Sequence, residues 1–124
     1  MYNTIQGTSI IKKKVHYLPS CHSTNDIAAE LVRSNEYREG LVVITDKQTQ
    51  GRGQRGNVWL SHAHNNLTFS LILNPTFIKI QDQFLISKAI AWGISAYLDS
   101  YFEDVKIKWP NDIYVNNCKL SGIL

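Results

Sequence analysis

The sequence predicts an α+β domain built around a mixed sheet, and three observations support this. Short β-branched apolar runs alternate with two segments of helical spacing. The order reads β-α-β-loop-β-α-β-β-β over 124 residues, about the length of one domain. No repeat, low-complexity tract or Pro/Gly/Ser linker divides it, so residues 1–124 are read as one domain. A hydrophobic fraction of 44% and a charged fraction of 19% are those of an ordinary globular chain.

Residues 10–18 predict a first strand behind the run Lys12-Lys13-Lys14, which reads as a solvated face. Ser23-Thr24-Asn25-Asp26 predicts a helix start, since hydroxyl and amide oxygens accept from the orphan amides of a first turn. Ile27, Ala28, Leu31 and Val32 follow at helical spacing, and Gly40 is expected to close that segment. Residues 41–45 form a β-branched run that predicts a buried strand, and residues 67–73 predict another, ended by Asn74-Pro75. From about residue 81 to 102, Phe84, Leu85, Ala89, Ile90, Trp92, Ala96, Tyr97, Leu98 and Tyr101 predict a long helix packed on the sheet, with Trp92 in the core. Residues 105–109 alternate as a strand does. Residues 113–115 and 119–124 flank Asn116-Asn117, a predicted hairpin turn.

Some function classes are not expected. A net charge of +3 is too modest and too dispersed to predict a nucleic-acid partner, and no helix-turn-helix precedes the first strand. No apolar stretch approaches the roughly 18 residues of a membrane span, and the polar start Met1-Tyr2-Asn3-Thr4 is no signal peptide. Two cysteines, Cys21 and Cys118, suit a reducing compartment, so a cytoplasmic location is expected. His62-Ala63-His64 lacks an evident third ligand, and no metal site is assigned to the chain itself.

Gly51-Arg52-Gly53-Gln54-Arg55-Gly56 matches the letters of the dinucleotide fingerprint. That fingerprint needs its last glycine to open a helix, and Asn57-Val58-Trp59-Leu60-Ser61 has no helical period. No Lys-Ser/Thr follows to make it a P-loop. The expectation is a flexible loop of unshielded amides whose Arg52 and Arg55 fold over an anion.

Four segments in order carry a more specific signal. They are Ser23-Thr24-Asn25, Gln48-x-x-Gly51-Arg52-Gly53-x-x-Gly56 with Trp59 beyond it, Lys108-Trp109-Pro110-Asn111-Asp112, and Lys119-Leu120-Ser121-Gly122-Ile123-Leu124. Together they resemble the catalytic domain of biotin protein ligases from about residue 15 to 124. The resemblance implies a class II aminoacyl-tRNA synthetase-like fold. It also implies an enzyme that activates biotin with ATP and Mg2+ to biotinyl-5′-adenylate. Biotin then passes to a lysine of a biotin carboxyl carrier protein. By the same resemblance Ser23, Thr24, Asn25 and Gln48 contact the biotin head group. Gly51, Arg52, Gly53 and Gln54 wrap biotin and the adenylate, and Trp59 helps enclose them. Lys119 binds the carboxylate–phosphate region, with Lys108, Asn111 and Asp112 beside the reaction centre.

The residue types suit that chemistry. Joining a carboxylate to an α-phosphate brings like charges together, and cations such as Arg52 and Lys119 lower that barrier. A ureido group needs hydroxyl and amide partners such as Ser23, Asn25 and Gln48. Asp112 is expected to act as a base toward the acceptor amine or as an orienting group. Many relatives carry an arginine where Gln54 stands. The family also continues past the last strand, so the chain reads as the front part of a catalytic domain. Lipoate–protein ligase and a non-catalytic biotin-binding fragment are the competing readings, and a homodimer is left open.

Overall fold

In the computed structural model residues 14–124 are described. They fall into two compact units that divide between Asn74 and Pro75. The front of the predicted first strand, at residues 10–13, lies outside the described residues.

The first unit holds β1 (Val15–Cys21), α1 (Thr24–Arg33), β2 (Val42–Gln48) and β3 (Thr68–Leu71). The sheet order is β1-β2-β3. β1 runs parallel to β2, with Val15 opposite Val42 and Cys21 opposite Gln48. β2 runs antiparallel to β3, with Ile44 opposite Phe69. A parallel pair needs a crossover, and α1 supplies it. Its apolar side buries Ala28 against Leu41, Val43 and Ile72, with Leu18, Ile27, Leu31 and Tyr37 packed around them.

Both ends of α1 are set by local chemistry. Ser23 is the N-cap, its hydroxyl accepting from the Asp26 amide at 3.4 Å, and Asp26 and Arg33 suit the two ends of the helix dipole. At the other end Asn35 adopts φ 58°, the left-handed conformation that stops a helix. The Asn35 amide then bonds Val32 O at 3.2 Å and the Glu36 amide bonds Leu31 O at 2.9 Å. The helix therefore ends at Arg33, not near Gly40 as the sequence predicts. Gly40, at φ 81°, instead turns the chain into β2.

The second unit holds α2 (Phe84–Leu98), β4 (Val105–Lys108), β5 (Asp112–Val115) and β6 (Cys118–Gly122), with a 3-10 turn at Ile80–Asp82 before the helix. The three strands form an antiparallel meander in the order β4-β5-β6. Asn116 and Asn117 take φ 49° and 64°, as a two-residue hairpin turn with positive φ at both positions requires. The predicted turn is therefore present. The mixed pairing lies in the first unit and the second sheet is wholly antiparallel.

Helix α2 corrects two expectations. It is shorter than residues 81–102, and it buries Ala91 and Ser95, with Ser87, Ile94 and Leu98 half-buried. Trp92 is 72% exposed, and Phe84, Leu85, Ile90, Tyr97 and Tyr101 are exposed as well. The helix is apolar around most of its circumference, so periodicity could not select the packed stripe. Small residues lie on that stripe because they let the helix approach β4 and β5. No helix among the described residues is long and apolar enough to cross a membrane.

Ile113 in β5 is completely buried. Ile113→Ala should destabilise the protein by about 2–5 kcal/mol, measured by denaturant unfolding; a change below about 0.5 kcal/mol would show that the second unit lacks a packed core.

Candidate functional site

In the first unit the predicted residues gather where β1 and β2 end. Cys21 and Gln48 are the last register partners of the parallel pair, and the chain leaves β1 directly into the cap of α1. Ser23 and Thr24 are both buried there. The Thr24 amide donates to Gln48 Oε1 at 2.8 Å, and the Thr24 hydroxyl lies 3.2 Å from the same oxygen and 3.0 Å from Ser70 Oγ. A backbone N–H only donates, so the Gln48 oxygen must face Thr24 and its NH2 turns toward Gly51. A helix start, a strand end and β3 are thus tied through Thr24. Asn25 is exposed beside this cluster.

The glycine-rich segment departs from expectation. The Thr49 and Gln50 amides bond Cys21 O and His22 O at 2.9 and 2.8 Å. The chain then doubles back as a hairpin. Arg52 bridges Val58 in antiparallel fashion, the Trp59 amide bonds Gly51 O at 2.9 Å, and the Gly53 amide bonds Asn57 O at 2.7 Å. Arg55 and Gly56 make the turn at φ 56° and 81°. The Gly53 and Trp59 amides are therefore bonded within the hairpin, so part of the segment is closed where the sequence suggests an open loop. Its charge remains: the Arg52 side chain is 59% exposed and pairs with Asp26. Gln54 and Trp59 are half-buried, and Arg55 is exposed.

Gly51 is required by space. A Cβ there would collide with the Trp59 carbonyl oxygen and lie 2.7 Å from Gln48 Nε2. At Gly53 it would meet only Asn57, at 3.5 Å.

The second unit groups the other predicted residues around β5 and β6. Lys119 Nζ lies 2.7 Å from Asp112 Oδ2. Asn111 donates its side-chain amide to Ile123 O at 2.8 Å and accepts from the Ile123 amide through its backbone at 2.9 Å, so it holds the segment after β6. Lys108 Nζ sits 5.4 Å over the Tyr114 ring. Trp109 is 66% exposed. It meets Phe84 edge-on at 5.1 Å, with Lys88 over both rings. Asp112 thus engages the Lys119 ammonium, an arrangement that suits orienting Lys119 better than accepting a proton from an amine.

Two contributors escape a reading of the sequence. Ser70 shares a face with Thr68 in an otherwise apolar strand, and that polar alternation was the available signal. Asp26 is legible as a first-turn acid but not as the partner of Arg52. Among the described residues no three of His, Cys, Asp or Glu gather where they would hold a metal. The His64 ring instead lies 3.8 Å from Asp46, whose other neighbour is the Tyr17 hydroxyl. A shallow cleft lined by Lys14, His16, Leu31, Glu36 and Arg38 sits at the opposite end of β1, about 20 Å from Gln48 at strand rise. It takes no part in this cluster.

Comparison with known proteins gives a consistent result. The Biotin/lipoate A/B protein ligase family matches residues 17–124. The chain is 38% identical over 121 residues to the bifunctional ligase/repressor BirA of Bacillus spizizenii, covering 94% of this chain and 36% of that protein. It is 36% identical over 110 residues to biotin–protein ligase 1, chloroplastic, of Arabidopsis thaliana, covering 86% and 29%. The solved biotin protein ligase from Aquifex aeolicus in complex with biotin and ATP aligns with a TM-score of 0.66 at 32% identity, covering 91% of this chain and 46% of that one. The biotin acetyl coenzyme A carboxylase synthetase from Helicobacter pylori with bound biotinylated ATP aligns at 0.69 and 28%, covering 90% and 53%. The chain spans about a third of the length of these curated relatives and about half of the solved chains.

The glycine geometry makes a paired prediction. Gly51→Ala should lower stability by about 1–3 kcal/mol through overpacking, while Gly53→Ala should stay within about 0.5 kcal/mol. Thermal unfolding reads both, and equal effects would contradict the close approach at Gly51.

Proposed function

The chain belongs to the biotin/lipoate A/B protein ligase family, and we propose that it carries the biotin-binding and carboxylate-activating residues of an ATP-dependent biotin protein ligase. The observation that supports this most is the Thr24–Gln48–Ser70 network beside the Arg52 loop. It places polar groups suited to a neutral ureido head next to a cation suited to an acid. The Arabidopsis relative is a biotin–protein ligase, and two solved neighbours hold biotin with ATP or biotinylated ATP, which favours biotin over lipoate.

In this reading Ser23, Thr24, Asn25 and Gln48 hydrogen-bond the biotin head. Gly51 lets the loop lie close to Gln48, and Gly53, Gln54 and Trp59 continue its wall. The biotin carboxylate oxygen attacks the α-phosphorus of ATP, forming a C–O–P linkage as pyrophosphate leaves. Mg2+ enters with ATP as part of that substrate. Arg52 and Lys119 offset the charge that builds as two anions approach. Asp112 holds the Lys119 ammonium in place, and Lys108 and Asn111 fix the strand ends around it. In the second half, the lysine amine of a biotin carboxyl carrier protein attacks the acyl carbon and AMP departs with the bonding pair. The amine proton passes to solvent or to a base. The cytoplasm is the proposed place of action, which suits the free thiols of Cys21 and Cys118.

Calorimetry of the full-length protein with biotin and then lipoate, with and without ATP, tests the reading. Biotin should bind, bind more tightly with ATP, and trigger pyrophosphate release. Preference for lipoate would overturn the substrate assignment, and binding without pyrophosphate release would overturn the catalytic one. Lys119→Ala should lower biotin-dependent pyrophosphate release by about 10²–10³-fold.

A further inference from the structure

We propose that Asp26 is a positioning residue that pre-orders Arg52 for its anionic ligand, and this rests on the ligase reading above. Arg52 leaves the hairpin at the bridge with Val58, where the backbone is fixed but a long side chain is free to sample many rotamers. Its guanidinium meets the carboxylate of Asp26 in the first turn of α1. That turn is itself fixed, because Ser23 caps it and the Thr24 amide is bonded to Gln48. The pair therefore joins two rigid points. The carboxylate is three-quarters buried, with a side-chain exposure of 25%, so it is not a freely solvated partner.

A guanidinium carries five N–H donors in a planar fork. The contact to Asp26 is made by Nη2, so one end of the fork can stay on Asp26 while other N–H groups turn to a second anion. Ordering a rotamer-rich side chain on binding costs about as much as a several-fold change in affinity. Asp26 removes part of that cost before the ligand arrives. Asn at this position would keep the shape and a weak acceptor but lose the charge. Glu would restore the charge on a longer arm.

The full-length protein tests this with Asp26→Asn, Asp26→Glu and Glu30→Gln. Glu30 serves as the control because it lies on the same helix and faces His22 at 3.8 Å rather than Arg52. For Asp26→Asn the biotin KM in pyrophosphate release should rise about 2–10-fold, with any fall in kcat smaller than that rise. Asp26→Glu should recover most of the loss, and Glu30→Gln should match the wild type. A second readout is independent of catalysis. Limited trypsin digestion should cut after Arg52 about 2–5-fold faster relative to the cut after Arg55 in Asp26→Asn. Arg55 lies in the same hairpin and corrects for general loosening. An unchanged KM, an unchanged cleavage ratio, no recovery by Glu, or an equal loss in Glu30→Gln would overturn the assignment. Absence of biotin-dependent pyrophosphate release in the wild type would sink the ligase reading, while the cleavage ratio would still decide the Asp26–Arg52 pair.

Discussion

The Gln48 side chain, reaching from the last residue of β2 to the Thr24 amide at 2.8 Å, is the contact on which the first unit's site depends. The first amides of a helix have no partner within it, and a glutamine oxygen from another element supplies one. The consequence is geometric. The oxygen is committed to α1, so the NH2 is turned to Gly51, and Gly51 must lack a side chain to pass it. Capping chemistry and loop chemistry share one residue. A parallel strand pair makes this possible, because both strands end on the same side and Cys21 finishes beside Gln48.

This also explains why a polar cluster can persist at the edge of an apolar core. Ser23, Thr24 and Ser70 carry hydroxyl groups that would be unfavourable inside if left alone. Thr24 bonds both Gln48 and Ser70, and Ser23 caps α1. These bonds hold the hydroxyls and the Gln48 side chain in one arrangement, which gives a stiff polar surface. In the second unit Asp112 does comparable work for Lys119, fixing a flexible cation from the facing strand of a short meander.

Much of this was legible in the residues. The element order, the Ser23 cap and the Asn116-Asn117 turn follow from local chemistry, and the four spaced segments carried the family. What escaped depends on choices between equivalent local options. Asn35 and Gly40 can each end α1, and only the packed turn decides for Asn35. Helix α2 is apolar on most sides, so its stripe of Ala91 and Ser95 is set by how closely it lies on β4 and β5, and Trp92 faces outward. The glycine-rich loop was read as open because its composition permits that. The antiparallel return through Val58 and Trp59, which ties up the Gly53 amide, has no local signature. The partnership of Asp26 and Arg52 joins residues far apart in sequence and is visible only in three dimensions.

The central claim is that the polar end of this cluster receives the head of biotin and the Arg52 loop its acid. The most direct measurement is a crystal structure of the protein grown with biotin. The account places the ureido group within hydrogen-bonding distance of the Thr24–Gln48 cluster and the valerate carboxylate toward Arg52. Biotin bound elsewhere, or bound here with its head reversed toward Arg52, would contradict it.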